Sequence, residues 1–190
     1  NVSADVLVMV DACKSELGIM AQIPVLLQRS MTTPAITLSH RPVLLLPESM
    51  LSTMSRAQIE LGIRHELTHY KRRDHLMRLL LMLVRGVYWF NPFVWIANRM
   101  ILADMETACD ARVTARLERK KRDLYIHTII DLGSDRYAGC ALGMGTAQGK
   151  KNIERRIRGM FMKKKSKRSA KVAALLLVPA MLVMCFTTAC

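Results

Sequence analysis

Apolar positions fall into blocks of different period along the chain. Residues 2–19 repeat at helical spacing, with Leu7, Val10 and Leu17 on one side, and predict a helix. Short, β-friendly apolar runs follow at 23–27, 35–38 and 42–46, separated by polar and proline-containing turns, as in a small sheet over about 22–47. Ser55-Arg56-Ala57-Gln58 fits a capping box and opens a helix over about 56–74 that places Ile59, Ile63, Leu67 and Tyr70 on a common face.

A largely apolar stretch then runs over 76–101 and is interrupted by Asn91-Pro92. Its first half, 76–90, is too short to cross a hydrocarbon core of about 30 Å at about 1.5 Å per residue. It also carries Arg78 and Arg85, seven positions apart and so on one helical face, where protein, head groups or water would meet them. Two short helices that enter and return are expected, a buried or re-entrant hairpin. Its second arm leads into a polar helix over about 102–120, and 123–132 reads as another amphipathic helix. Five of the nine glycines (Gly133, Gly139, Gly143, Gly145 and Gly149) then mark a flexible loop over 133–149. Its Gly-Lys end lacks the glycine spacing, the Ser/Thr and the preceding strand of a phosphate loop, and that reading is excluded.

Charge changes the picture. The chain of 190 residues is 51% hydrophobic yet carries a formal charge of +14. Between 150 and 171 there are eleven Lys or Arg against the single acid Glu154, and directly afterwards 172–190 are nineteen residues without a charge. A transmembrane helix over about 169–190 is expected, entered from the cytoplasm, because basic flanks stay inside. The competing reading of the basic run is a nucleic-acid patch, but its juxtamembrane position accounts for the charge without one, so no direct nucleic-acid binding is expected. The five cysteines show no paired spacing and no Cys-x-x-Cys, hence neither a disulfide framework nor a thiolate zinc site. A start at Asn1 and an end on an apolar run suggest a fragment of a longer, multi-pass membrane protein.

The chemistry is concentrated in His65-Glu66-Leu67-Thr68-His69. Histidines at i and i+4 lie one turn apart on one helical face, so both imidazoles can reach one Zn²⁺, and Glu66 beside them can take a proton from a metal-bound water and pass it to a leaving amine. Catalytic zinc commonly takes three protein ligands. His75 has a tempting spacing, but position 72 is Arg, which offers no easy turn to swing His75 back. Glu106 is the better third ligand, with Asp110 one turn on able to accept a hydrogen bond from a ligand histidine. His40 and His127 read as surface or packing histidines, Cys109 as a small packing residue, and the fourteen methionines as adaptable filling of the apolar helices.

His65-Glu66-Leu67-Thr68-His69-Tyr70-Lys71-Arg72-Arg73-Asp74, then Tyr88-Trp89-Phe90-Asn91-Pro92, then Glu106-Thr107-Ala108-Cys109-Asp110 resemble the BlaR/MecR-type membrane zinc metallopeptidases. Arg41-Pro42-Val43-Leu44-Leu45-Leu46-Pro47 and Ile153-Glu154-Arg155-Arg156-Ile157 are similar to stretches at corresponding places in that family. The resemblance implies an α+β, mostly helical membrane metallopeptidase. It would comprise a cytoplasm-facing gluzincin domain over 1–168 and a transmembrane helix over 169–190. It implies one Zn²⁺ per chain held by His65, His69 and Glu106, with Glu66 as base and Asp110 behind the ligands. It further implies a bacterial cell-membrane protein that cleaves a cytoplasmic protein, a winged-helix DNA-binding repressor, in an antirepressor circuit of antibiotic response. Self-cleavage before the last membrane helix would fall at Arg155-Arg156. Alternatives are a membrane-protein quality-control zinc protease and a non-catalytic signalling scaffold.

Overall fold

The computed structural model describes residues 2–37, 41–138 and 144–161. Helix α1 (Ala4–Leu17) ends where Gly18 takes a left-handed conformation at φ 64° and donates its N–H back to the last turn. Three short strands, β1 (Val25–Gln28), β2 (Ala35–Ile36) and β3 (Leu44–Pro47), form a sheet of order β1-β3-β2, with β1 parallel and β2 antiparallel to β3. The short helix α2 (Glu48–Thr53) leads to α3 (Arg56–Lys71), followed by α4 (Asp74–Val87), α5 (Pro92–Thr114), α6 (Arg119–Ala138) and α7 (Met144–Phe161).

Helix α3 lies at the centre because it is apolar on two sides. Ile59, Ile63 and Leu67 join Val6, Met9, Val10 and Cys13 of α1 and Leu44 and Leu46 of β3 in the larger core. Leu61 turns the other way, into a second cluster with Cys109, Val113, Tyr125 and Ile129. The Ser55 capping box forms as the sequence implies: the Ser55 hydroxyl accepts from the Gln58 N–H, and the Gln58 side chain accepts from the Ser55 N–H.

Several expectations change. The buried stripe of α1 is Val6, Met9, Val10 and Cys13, whereas Leu7 is 43% exposed. Helix α3 stops at Lys71 rather than near 74, because Arg73 adopts a left-handed φ of 59° and starts α4 in a new direction. The second arm of the apolar stretch and the polar helix expected at 102–120 are one continuous helix, α5, started by Asn91, whose side-chain oxygen accepts from the Phe93 N–H at 2.9 Å. Of the loop expected over 133–149, residues 133–138 belong to α6 and 144–149 to α7, while 139–143 lie outside the described residues. At Gly133 the absent side chain permits close packing: a Cβ there would stand 2.6 Å from Ile153 Cδ1 of α7. The transmembrane helix expected over 169–190 also lies outside the described residues; among those described, no helix is long and apolar enough to cross a membrane.

Helices α4 and α5 make an antiparallel pair around Asn91-Pro92 whose outer surface is apolar and, among the described residues, uncovered. Leu83, Trp89, Phe90 and Phe93 are all more than half exposed. Arg85 sits over the Trp95 ring at 4.8 Å, so a cation rides on an aromatic face near the far end of this pair.

Candidate metal centre

Helix α3 aims His65 and His69 at helix α5, and α5 presents Glu106 to both. His65 Nε2 and His69 Nε2 are 3.1 Å apart, and Glu106 Oε2 lies 3.5 Å from the first and 3.6 Å from the second. Three donors about 2.0–2.1 Å from a tetrahedral zinc would stand about 3.3–3.4 Å from one another. The observed triangle has that size.

The far side of each ring is also engaged. His69 Nδ1 lies 2.7 Å from Asp74 Oδ2, and His65 Nδ1 lies 2.7 Å from the Tyr125 hydroxyl, which in turn donates to Asp110 Oδ1 at 2.8 Å. Burial and the Asp110 charge push the Tyr125 phenol well above its ordinary range, so it is neutral and has one proton, which goes to Asp110. Tyr125 must therefore accept from His65 Nδ1–H. With both Nδ1 atoms donating, both Nε2 lone pairs face the shared centre, an arrangement that calls for a cation between them. Burial alone would raise the Glu106 carboxyl, but the His65 and His69 rings and the charge of Arg156 beside it outweigh burial and hold Glu106 far below the usual carboxylate range.

Two arginines frame the carboxylates. Arg78 of α4 donates to Glu106 Oε1 at 2.8 Å, leaving Oε2 for the centre. Arg156 of α7 clasps Asp110 with two bonds of 2.7 Å, from Nε to Oδ2 and from Nη2 to Oδ1. Its Nη2 also lies 3.4 Å from His65 Nε2 and 3.6 Å from Glu106 Oε2. Glu66 lines the same cleft, of about 480 Å³, as do Ala35 and Ile36 of the edge strand β2.

Of the residues expected from sequence, His65, His69 and Glu106 are brought together, and Glu66 borders them. Asp110 is 3.5 Å from His65 Nδ1 and reaches that ring through Tyr125; Asp74 is the carboxylate that bonds a histidine directly. His75 stacks on Tyr70 at 5.8 Å between ring centroids and is not among the clustered donors. Cys109 is buried, as a packing residue should be, but its Sγ donates to the His65 carbonyl at 3.5 Å and lies 3.6 Å from Nδ1. His65, His69 and Cys109 each offer a donor atom within 4.8 Å of the others, so the thiol is a competing ligand by proximity. The thiol approaches His65 at Nδ1, whereas Glu106 faces Nε2.

Arg155 and Arg156, expected in a segment open to self-cleavage, lie inside helix α7. Arg155 is paired with Asp104 at 2.6 Å and Arg156 with Asp110. A protease takes an extended segment, so cleavage there requires α7 to open first. Sequence reasoning gave Asp74, Tyr125 and Arg78 no role at the centre. Asp74 is signalled only by its place five residues after His69, and Tyr125 by nothing local.

A central helix carrying two histidines and a glutamate, joined by an acidic ligand candidate from a second helix, defines a metallopeptidase class of site. The sequence matches the family described as BlaR1 peptidase M56 over residues 2–160, and the chain belongs to that family. It is 32% identical over 149 residues to the regulatory protein BlaR1 of Bacillus licheniformis, covering 76% of this chain and 24% of that protein. It is 33% identical over 87 residues to the methicillin resistance mecR1 protein of Staphylococcus aureus, covering 46% of this chain and 15% of the relative. The chain thus spans about a quarter or less of the length of these relatives.

Proposed function

We propose that the chain is the catalytic part of a membrane-bound, zinc-dependent endopeptidase of the signal-transducing antirepressor type. The observation that carries this reading is the triangle of His65 Nε2, His69 Nε2 and Glu106 Oε2 at 3.1–3.6 Å, with both Nδ1 atoms engaged behind it. His65, His69 and Glu106 would hold the metal, which when bound polarises a carbonyl and acidifies water. Glu66 takes a proton from the attacking water and returns it to the leaving nitrogen. Asp74 and Tyr125 keep the imidazoles in the required tautomer, and the edge of β2 offers backbone groups along which an extended substrate can lie.

The apolar surface of α4 and α5 supports a membrane-embedded hairpin. At about 1.5 Å per residue the fourteen residues of α4 reach about 21 Å, short of a full crossing. A chain that enters on α4 and returns on α5 keeps Glu106 on the same side as His65. The substrate of this reading is a cytoplasmic protein, a repressor of winged-helix type, in keeping with the regulatory names of the relatives. Self-processing belongs to the same scheme.

The test is to follow the size of the detergent-solubilised chain, and of an added candidate repressor, with zinc or chelator, for wild type and Glu66→Gln. Zinc-dependent cleavage by wild type alone is expected. Cleavage of unfolded proteins without preference would favour a quality-control protease. Stoichiometric zinc with no cleavage, and normal signalling by Glu66→Gln, would favour a scaffold and refute the proposal.

A further inference from the structure

Arg156 is not used by the mechanism above, yet its guanidinium reaches the centre of the site from a helix 91 residues removed from His65. We propose that Arg156 binds the oxyanion of the peptidase reaction, its Nη2 held by Asp110 so as to donate to the carbonyl oxygen of the scissile bond as that oxygen gains negative charge. The inference rests on the peptidase reading.

Three observations carry it. The fork on Asp110, two bonds of 2.7 Å, fixes the plane of the guanidinium and occupies Nε and one N–H of Nη2. Nη2 keeps a second N–H, and it stands 3.4 Å from His65 Nε2 and 3.6 Å from Glu106 Oε2. Those separations set Nη2 beside the Nε2 and Oε2 atoms that face the centre, so an oxygen bound among them comes next to its N–H. A guanidinium has no lone pair to offer a metal and cannot ligate it; Nη2 reaches His65 Nε2 in this structure, and once that lone pair is given to a metal the same N–H is left to donate to an oxygen beside it. Finally, α7 is seated closely on α5: Arg155 pairs with Asp104 at 2.6 Å, and Gly159 packs where even a Cβ would meet Thr107 Cγ2 at 2.5 Å. A donor that is placed and charged before reaction needs no reorganisation when the charge develops.

The electrons balance simply. The water oxygen bonds to the carbonyl carbon while Glu66 receives one of its protons, and the C=O π pair moves onto the carbonyl oxygen, where Nη2 meets it. The C–N bond then breaks, its pair leaves with nitrogen, nitrogen takes the proton from Glu66, and the oxygen pair restores the C=O.

The experiment uses the full chain in detergent, zinc-loaded, as wild type, Arg156→Gln and Arg156→Lys. It measures zinc per chain, kcat and KM on labelled casein, and the affinity of a peptide phosphinate, which mimics the charged tetrahedral adduct, against a peptide hydroxamate of the same sequence. Arg156→Gln should keep zinc, lose about 10²–10³-fold in kcat with KM little changed, and lose a similar factor in phosphinate affinity but not in hydroxamate affinity. Arg156→Lys should recover part of both losses. A zinc-loaded Arg156→Gln with unchanged kcat and phosphinate affinity would overturn the inference, as would equal weakening of both inhibitors, the mark of a structural clamp. Should Arg156→Gln fail to fold or to load zinc, the ratio of the two inhibitor affinities in Arg156→Lys decides on the same terms. A wild type that loads zinc but cleaves nothing and binds neither inhibitor refutes the peptidase reading itself, a different failure from the loss of Arg156 function alone.

Discussion

Arg78 and Glu106 join the apolar hairpin to the centre of the site: Arg78 Nη2 donates to Oε1 at 2.8 Å, while Oε2 of the same carboxylate faces both imidazoles. The bond turns the carboxylate so that one oxygen points inward. Arg78→Gln should therefore weaken zinc binding about 10–100-fold. The ion pair is partly exposed, so unfolding free energy without metal should change by less than about 1 kcal/mol. Competition with a chelator and denaturant titration measure the two quantities separately.

Tyr125 has the larger structural role. Its hydroxyl is wholly buried between His65 Nδ1 and Asp110 Oδ1, so Tyr125→Phe leaves both without that partner. Urea unfolding in chelator should show a loss of about 1–3 kcal/mol. Zinc affinity should fall as well, because nothing then selects the tautomer that turns Nε2 inward. A variant as stable as wild type would mean that the hydroxyl is not the acceptor for His65.

These partners explain how far the site is legible in sequence. Helix α3 and its two histidines are readable because the capping box and the i, i+4 spacing are local, and Glu106 because a second helix must supply what the first lacks. Asp74 is hidden by the turn at Arg72 and Arg73, which is made without glycine by a left-handed arginine. Tyr125 and Arg156 lie 60 and 91 residues from the ring they serve, distances that no periodicity encodes. The glycines from Gly133 to Gly149 suggest a loop, since each costs a helix about 1 kcal/mol. At Gly133 and Gly159 close helix contact uses the missing side chain instead.

Cys109 and Glu106 compete for the third position, and metal spectroscopy separates them. If Glu106 ligates, Co²⁺-loaded protein should lack a thiolate-to-cobalt charge-transfer band, and Cys109→Ala should keep one metal per chain. Glu106→Gln should lose most of the affinity. A charge-transfer band abolished by Cys109→Ala would instead assign the thiol.

The exposed side chains of α4 and α5 predict membrane association that does not depend on the terminal apolar segment. A chain ending at residue 161 should float with vesicles of bacterial-type anionic lipid, and Trp89→Ser with Phe90→Ser should reduce the bound fraction. Each ring is about two-thirds exposed, and burying a large aromatic is worth roughly 1.5–3 kcal/mol. A shortened chain that stays wholly in solution would refute the embedded hairpin.

Gly159 tests whether the seating of α7 on α5 matters to catalysis. An added Cβ would stand 2.5 Å from Thr107 Cγ2, and the threonine cannot simply rotate, because its Oγ1 is already bonded to the Ala103 carbonyl at 2.9 Å. Alanine favours a helix by about 1 kcal/mol over glycine, whereas overpacking costs about 1–3 kcal/mol. Gly159→Ala should thus be neutral to destabilising, and peptidase activity should fall as α7 shifts Arg156. Zinc content should hold, since the proposed ligands lie on α3 and α5. Thr107→Ser removes the clashing methyl and keeps the hydroxyl bond, so the double variant Gly159→Ala with Thr107→Ser should regain activity beyond the sum of the single effects. Additive single effects would show that the helix contact does not position the arginine.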